Sequence, residues 1–223
     1  MSRILIPSAG PESWKTFLAD EGHWKTGFSA KSLAHCWEAA DEIPPEIDSI
    51  LRTSPTFVAS ELLLAIPEHK VRIPGGSRAS QTDLWLLLRA PGGLASVAIE
   101  GKVKESFGPT VAEWSEEASS GKEVRLQALK NLLSLSDVPG EIRYQLLHRT
   151  ASAILEARRF LAVHAVMLVH SFSQSDEWFD DFKAFSALLG ASAEKGKLVQ
   201  APSHTQPTLH LGWVRGDAEF LTK

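Results

Sequence analysis

Thr82 to Val103 reads TDLWLLLRAPGGLASVAIEGKV. Thr82 to Arg89 is crowded with Leu and Trp, Ala90-Pro91-Gly92-Gly93 is turn chemistry, and Leu94 to Val103 forms a second arm ending in Glu-Gly-Lys. Proline presets φ for a turn and glycine supplies φ > 0, so the stretch predicts a β-hairpin. The turn length then decides which side chains meet. With residues 90 to 93 as the turn, Arg89 faces Leu94, and counting outward brings Asp83 opposite Glu100. With Gly92-Gly93 alone as the turn, Asp83 falls opposite Lys102. Either register puts Asp83, Glu100 and Lys102 on one face, because side chains alternate with period two and opposed residues share a face. A loop of odd length would set Asp83 against Gly101 and separate them.

Two carboxylates and an ammonium on an apolar sheet face are costly to bury unless they are paired or bound to metal. Hard oxygen donors of this kind suit Mg²⁺ or Mn²⁺, with Asp83 and Glu100 as the ligands. Such an ion lowers the pKa of a bound water and polarises a phosphate, while Lys102 orients that water and offsets the charge developing on phosphorus. The competing reading is a sheet end whose charges form an ordinary salt bridge. Glu-x-Lys alone decides nothing, since the chain repeats it at Glu68-His69-Lys70.

The flanking sequence predicts alternating helices and strands. Before the hairpin, Pro55 opens a helix over Thr56 to Ile66 with Glu61 on its apolar side, and Glu68 to Pro74 alternates as a first strand. Pro74-Gly75-Gly76-Ser77-Arg78 is a loop without the Gly-Lys-Ser/Thr ending of a P-loop. Arg78 lies near the charged end of the hairpin as a phosphate contact or a solvated group. Lys104 continues the face of Lys102, either adding positive charge toward phosphate or simply ending the strand. After the hairpin come helices over Thr110 to Ala118, Glu123 to Ser134 and Glu141 to Phe160. The last carries Gln145 and a basic set that includes Arg149, a further phosphate contact or a solvated face. Leu161 to Ser171 reads as a buried strand parallel to that of Glu100, followed by a helix over Asp176 to Leu189 and closing strands at Lys197 to Gln200 and Thr208 to Val214. His204 and His210 have no partners at zinc-ligand spacing. In the leader, residues 2 to 10 suit a short strand or extended arm, Pro11 to Asp20 a helix, Ser29 an N-cap for Ala30 to Ala40, and Glu46 to Arg52 another helix. Its tryptophans, Trp14, Trp24 and Trp37, read as packing groups.

Asp83 followed across a hairpin by Glu100-Gly101-Lys102 resembles the PD-(D/E)XK nuclease superfamily, with Thr82 where that family carries proline. The leader (His23-Trp24, Ser29-Ala30, Trp37 to Ala40) and Tyr144 to Arg149 resemble a bacterial family of unassigned substrate built on the same core. The resemblance implies an α/β, restriction-endonuclease-like mixed sheet flanked by helices, with residues 1–54 as a helical layer packed on a core of residues 55–223. It implies that a helix before the hairpin adds an acid to the metal site, which would be Glu61. It also implies a polar residue from a following helix, which would be Gln145.

Composition bounds the rest. The chain has 223 residues, 43% hydrophobic and 22% charged, which is globular usage. The single cysteine, Cys36, excludes an internal disulfide framework and a multi-cysteine zinc site. No stretch reads as a signal peptide or membrane span, so the expectation is cytoplasmic. A net charge of −4 argues against bulk attraction to nucleic acid and leaves room for a local basic patch. The sequence therefore predicts a Mg²⁺- or Mn²⁺-dependent nuclease acting on nucleic acid, with DNA the expected polymer and a homodimer an open possibility for double-strand breaks. The alternatives are an inactive nucleic-acid or protein-binding module on the same fold, and an unrelated α/β protein with a structural ion pair.

Overall fold

In the computed structural model, residues 8–76, 78–117, 119–202 and 206–223 are described. The hairpin is the middle of the sheet. Strand β2 (Ser80–Ala90) turns through Pro91-Gly92 into β3 (Gly93–Lys102), with Ala90 opposite Gly93 and Arg89 opposite Leu94. The loop is even, and Gly93 takes φ 135°, outside the range open to most side chains. The ladder runs to Leu84 opposite Ile99, so the next level holds Asp83 and Glu100.

Strand β1 (Glu61–Val71) pairs antiparallel with β2. After β3 the chain passes through α3 (Val111–Ser115), α4 (Ser120–Leu133) and α5 (Tyr144–Arg159) and returns as β4 (His164–Ser171), parallel to β3. Helix α6 (Phe179–Leu188) follows, then β5 (Leu198–Gln200) and β6 (Thr208–Arg215). The order is β1-β2-β3-β4-β6-β5, a six-stranded mixed sheet. The fold is α/β, a mixed sheet flanked by helices, and β4 is parallel to both of its neighbours, as its continuous apolar run demands.

Each sheet face has its own core. Leu84, Leu86, Leu88, Val97, Ile99 and Leu168 meet the leader, where α1 (Ser29–Ala39) and α2 (Pro45–Arg52) bury Leu33, Trp37, Ile47 and Ile50. Ala98, Met167 and Trp213 meet the other helices, with Leu129 from α4, Leu146 and Ile154 from α5 and Phe182 from α6. Each fully buried Leu or Ile stabilises the fold by about 1.5–3 kcal/mol. Trp14 and Trp37 are buried as packing groups, and Trp24 is half-buried.

Three expectations fail here. The helix over Thr56 to Ile66 does not form. Pro55–Phe57 makes a single 3₁₀ turn, Ser54 offers no side-chain cap, and the chain then extends into β1. A short apolar run such as Leu62 to Ile66 suits helix or strand, and pairing with β2 decides it. Ser29 is the first residue of α1 and not its cap; its N–H donates to Glu105 Oε1 at 2.7 Å, an acid supplied from the loop after β3. The leader begins with a 3₁₀ stretch, Pro11–Phe17, in place of an α-helix. The arm expected at residues 2 to 10 lies mostly outside the described residues, as does His204.

Candidate active site

The charged end of the hairpin opens into a cleft of 530 Å³ between the leader and α5. It lies beyond the carboxyl ends of the parallel strands β3 and β4, where open α/β sheets commonly bind ligands. Asp83, Glu100, Lys102, Gln145 and Arg149 all line it, so the hairpin register and one face of α5 bring five of the expected residues together. Gln145 and Arg149 are one turn apart on that helix and share a face.

The contacts are dense. Lys102 Nζ donates to Glu100 Oε1 at 2.8 Å and to Gln145 Oε1 at 3.2 Å. Arg149 Nε donates to Glu100 Oε2 at 2.6 Å, its Nη1 donates to Ser80 Oγ at 3.2 Å, and its Nη2 stands 3.8 Å from Asp83 Oδ1. Asp83 Oδ2 accepts from the Gly101 N–H at 2.9 Å. Ser80 Oγ lies 2.8 Å from His148 Nδ1. Glu100 and Lys102 are 2% and 4% exposed, which places this ion pair in the interior of the protein.

A third carboxylate joins them. Glu68 lies in β1 between the pairs Pro67–Leu84 and His69–Thr82, at the level of Asp83. Its φ is 53°, a conformation non-glycine residues seldom adopt, and its Oε2 accepts from Gln81 Nε2 at 2.6 Å. Glu68 takes the place expected of Glu61. Glu61 sits at the opposite end of β1, in register with Arg89 and ion-paired to it, roughly 23 Å up the strand at the usual rise per residue. Glu68 was visible in sequence only as a second Glu-x-Lys; counting the β1–β2 register would have found it.

The phosphate contacts also separate. Arg149 is buried and committed to Glu100 and Ser80, so it neutralises the acids and does not reach outward. Lys104 is exposed, with Nζ 4.7 Å from the centre of the Phe28 ring. Arg78 is exposed and lines an adjoining cavity of 460 Å³ with Lys122 and Trp114. There Trp114 stacks on Tyr144 at 4.0 Å and 10°, and Tyr144 and His148 line both spaces. Arg125 is buried, with its guanidinium donating to the Pro74, Gly75 and Arg78 carbonyls, and so braces the loop.

Charge balance is the site's main electrostatic feature. Four carboxylates line the cleft. Glu105 accepts from the Ser29 and Val103 N–H groups, which leaves Glu68, Asp83 and Glu100 on the strands to face two cations, Lys102 and Arg149. Burial would raise Glu100, but Arg149 and Lys102 outweigh it and hold its carboxyl below the usual range. Burial and then the Glu100 charge push Asp83 up to about 7. Burial and then Asp83 push Glu68 up to about 8. Burial, Arg149, Arg125 and Lys102 hold His148 well below its ordinary value, so it is neutral at pH 7. The excess negative charge of the cleft therefore favours protonation of Asp83 and Glu68 near neutral pH.

Fold and site together define an α/β protein with a buried carboxylate–lysine–arginine cleft at the carboxyl ends of its strands. The chain belongs to the family described as Domain of unknown function (DUF6946), whose profile matches residues 7–218. No curated protein and no solved structure matches the chain. Among the described residues, no helix is long and apolar enough to cross a membrane.

Proposed function

We propose that this protein is a metal-dependent nuclease of the PD-(D/E)XK type that hydrolyses phosphodiester bonds in nucleic acid, with DNA the expected polymer. The observation that carries the reading is the meeting of Asp83, Glu100 and Lys102 in one cleft that holds more carboxylates than cations. The donor chemistry fits Mg²⁺ or Mn²⁺: Asp83 and Glu100 offer hard oxygens, and Glu68 lines the same cleft and would add a third on closing around the ion. Bound there, the ion would supply an acidified water and a polarised phosphate. Lys102 is held between Glu100 and Gln145 and has a third ammonium proton for the attacking water or the phosphate oxygens. Arg149 holds the Glu100 carboxylate in place and keeps it ionised. Arg78 and Lys122 beside the Trp114–Tyr144 stack suit a flanking phosphate and base, which reconciles nucleic-acid binding with the acidic net charge.

A second reading is favoured by Arg149 itself. Lys102 and Arg149 occupy both oxygens of Glu100, as they would in an inactive binding module that keeps the fold. Incubation of single- and double-stranded DNA and RNA with Mn²⁺, wild type against Lys102→Ala, separates the two. The nuclease reading expects cleavage that the substitution removes. No cleavage by either protein would leave the binding module, and equal cleavage by both would point to contamination or to the wrong site.

A further inference from the structure

On the opposite face of the sheet, Cys36 from α1, Glu46 from α2 and His170 from β4 converge. Their ligand atoms all lie within 4.8 Å of one another. Glu46 Oε1 is the hub, 3.3 Å from Cys36 Sγ and 3.0 Å from His170 Nε2. We propose that Cys36, Glu46 and His170 form a site for a borderline divalent cation of the Zn²⁺ class, separate from the oxygen-lined cleft.

The chemistry suits that class. Thiolate, imidazole and carboxylate are the donors zinc takes, and three protein ligands leave a fourth position for water. Tetrahedral zinc with bonds of about 2.0–2.3 Å sets its ligands roughly 3.3–3.5 Å apart. The two spacings to Glu46 Oε1 are within a few tenths of an ångström of this, and Cys36 and His170 lie within 4.8 Å of each other and would close on the ion. The cation would replace the protons now held between Glu46 and its two neighbours. His170 is fully buried with its Nε2 aimed at the cluster. The room at Nε2 is kept by a glycine: a Cβ on Gly216 would stand 2.8 Å from that atom. The charged groups acting on Cys36 are Glu46, Asp217 and Glu219, all acidic. Glu46 keeps 19% of its side chain exposed and offers a way in.

The placement suggests what the ion would do. His170 pairs in register with Gly101, between Glu100 and Lys102 on the neighbouring strand. An ion on His170 would tie α1 and α2 to β4 beside the strand that carries the cleft's acid and lysine, bracing it from behind.

Cobalt titration of the metal-stripped full chain tests this, because Cys36 is the single cysteine and any thiolate-to-cobalt charge-transfer band must come from it. The expected result is such a band saturating at one equivalent, lost in Cys36→Ser, shifted to higher cobalt in Glu46→Gln, and displaced by Zn²⁺ but not by Mg²⁺. Absence of the band from wild-type protein, both titrated in the native state and refolded with cobalt, would overturn the proposal, whatever the variants do. A band displaced by Mg²⁺ would overturn it too. The oxygen-only cleft gives no sulfur band, so failure here leaves the nuclease reading standing, and the reverse holds equally.

Discussion

Arg149→Met is the most revealing perturbation of the cleft. The substitution keeps much of the side-chain volume and removes the guanidinium that donates to Glu100 at 2.6 Å and to Ser80 at 3.2 Å. Glu100, 2% exposed, is then left with Lys102 as the cation beside the three strand carboxylates, Glu68, Asp83 and Glu100 itself. Removing one partner of a buried pair typically costs 3–5 kcal/mol, because the remaining charge has no solvent to fall back on. For a chain of 223 residues that corresponds to a fall in Tm of roughly 6–20 °C. The pH dependence identifies the cause. In the wild type, Glu100 is held below the usual carboxylate range, so its contribution is present above the unfolded pKa and lost as the pH falls. In the variant, burial dominates and raises the carboxyl, so stability is retained at low pH and lost as the pH rises. The deficit should therefore be small near pH 4 and widen toward pH 8. Denaturant unfolding followed by tryptophan fluorescence at several pH values measures it, with Arg158→Met on the exposed end of α5 as a control expected within about 0.5 kcal/mol of wild type. A deficit below about 1 kcal/mol, or one equal at pH 5 and pH 8, would refute the assignment of Arg149 as the counter-charge of Glu100.

Other outcomes follow from the same charge balance. Asp83 and Glu68 have folded-state pKa values raised to about 7 and about 8, so without metal the wild type should lose stability between about pH 4 and pH 8, and saturating Mn²⁺ should restore it. At one hundred times its Kd the ion contributes about 2.7 kcal/mol, readable as a rise in Tm at pH 8. Asp83→Asn keeps an oxygen for the Gly101 N–H while deleting a repelled charge, so at pH 8 without metal it should match or exceed wild-type stability, yet lose the Mn²⁺ response and cleavage. Glu68→Gln should weaken Mn²⁺ binding by calorimetry, whereas Glu61→Gln should leave it unchanged and cost no more than about 1 kcal/mol, as expected for a partly exposed pair with Arg89.

How much of this was legible in the chain depends on how far apart the interacting residues lie. The hairpin is local. Pro91-Gly92 sets an even loop, period-two alternation carries the register outward, and Asp83, Glu100 and Lys102 fall on one face without reference to any distant residue. The helical period over Tyr144–Arg159 is equally local, and so is the pairing of Gln145 with Arg149 on one side of it. Tertiary structure decided the rest, since its outcomes depend on contacts that sequence spacing does not encode. The run Leu62 to Ile66 suited either period until β2 supplied its hydrogen bonds, and that pairing moved the third acid from Glu61 to Glu68. Arg149 became a buried counter-ion only because the β3–α5–β4 crossover lays its helix over Glu100. Cys36, Glu46 and His170 come from three elements on the other side of the sheet, and only the packing of the leader onto β4 makes them neighbours.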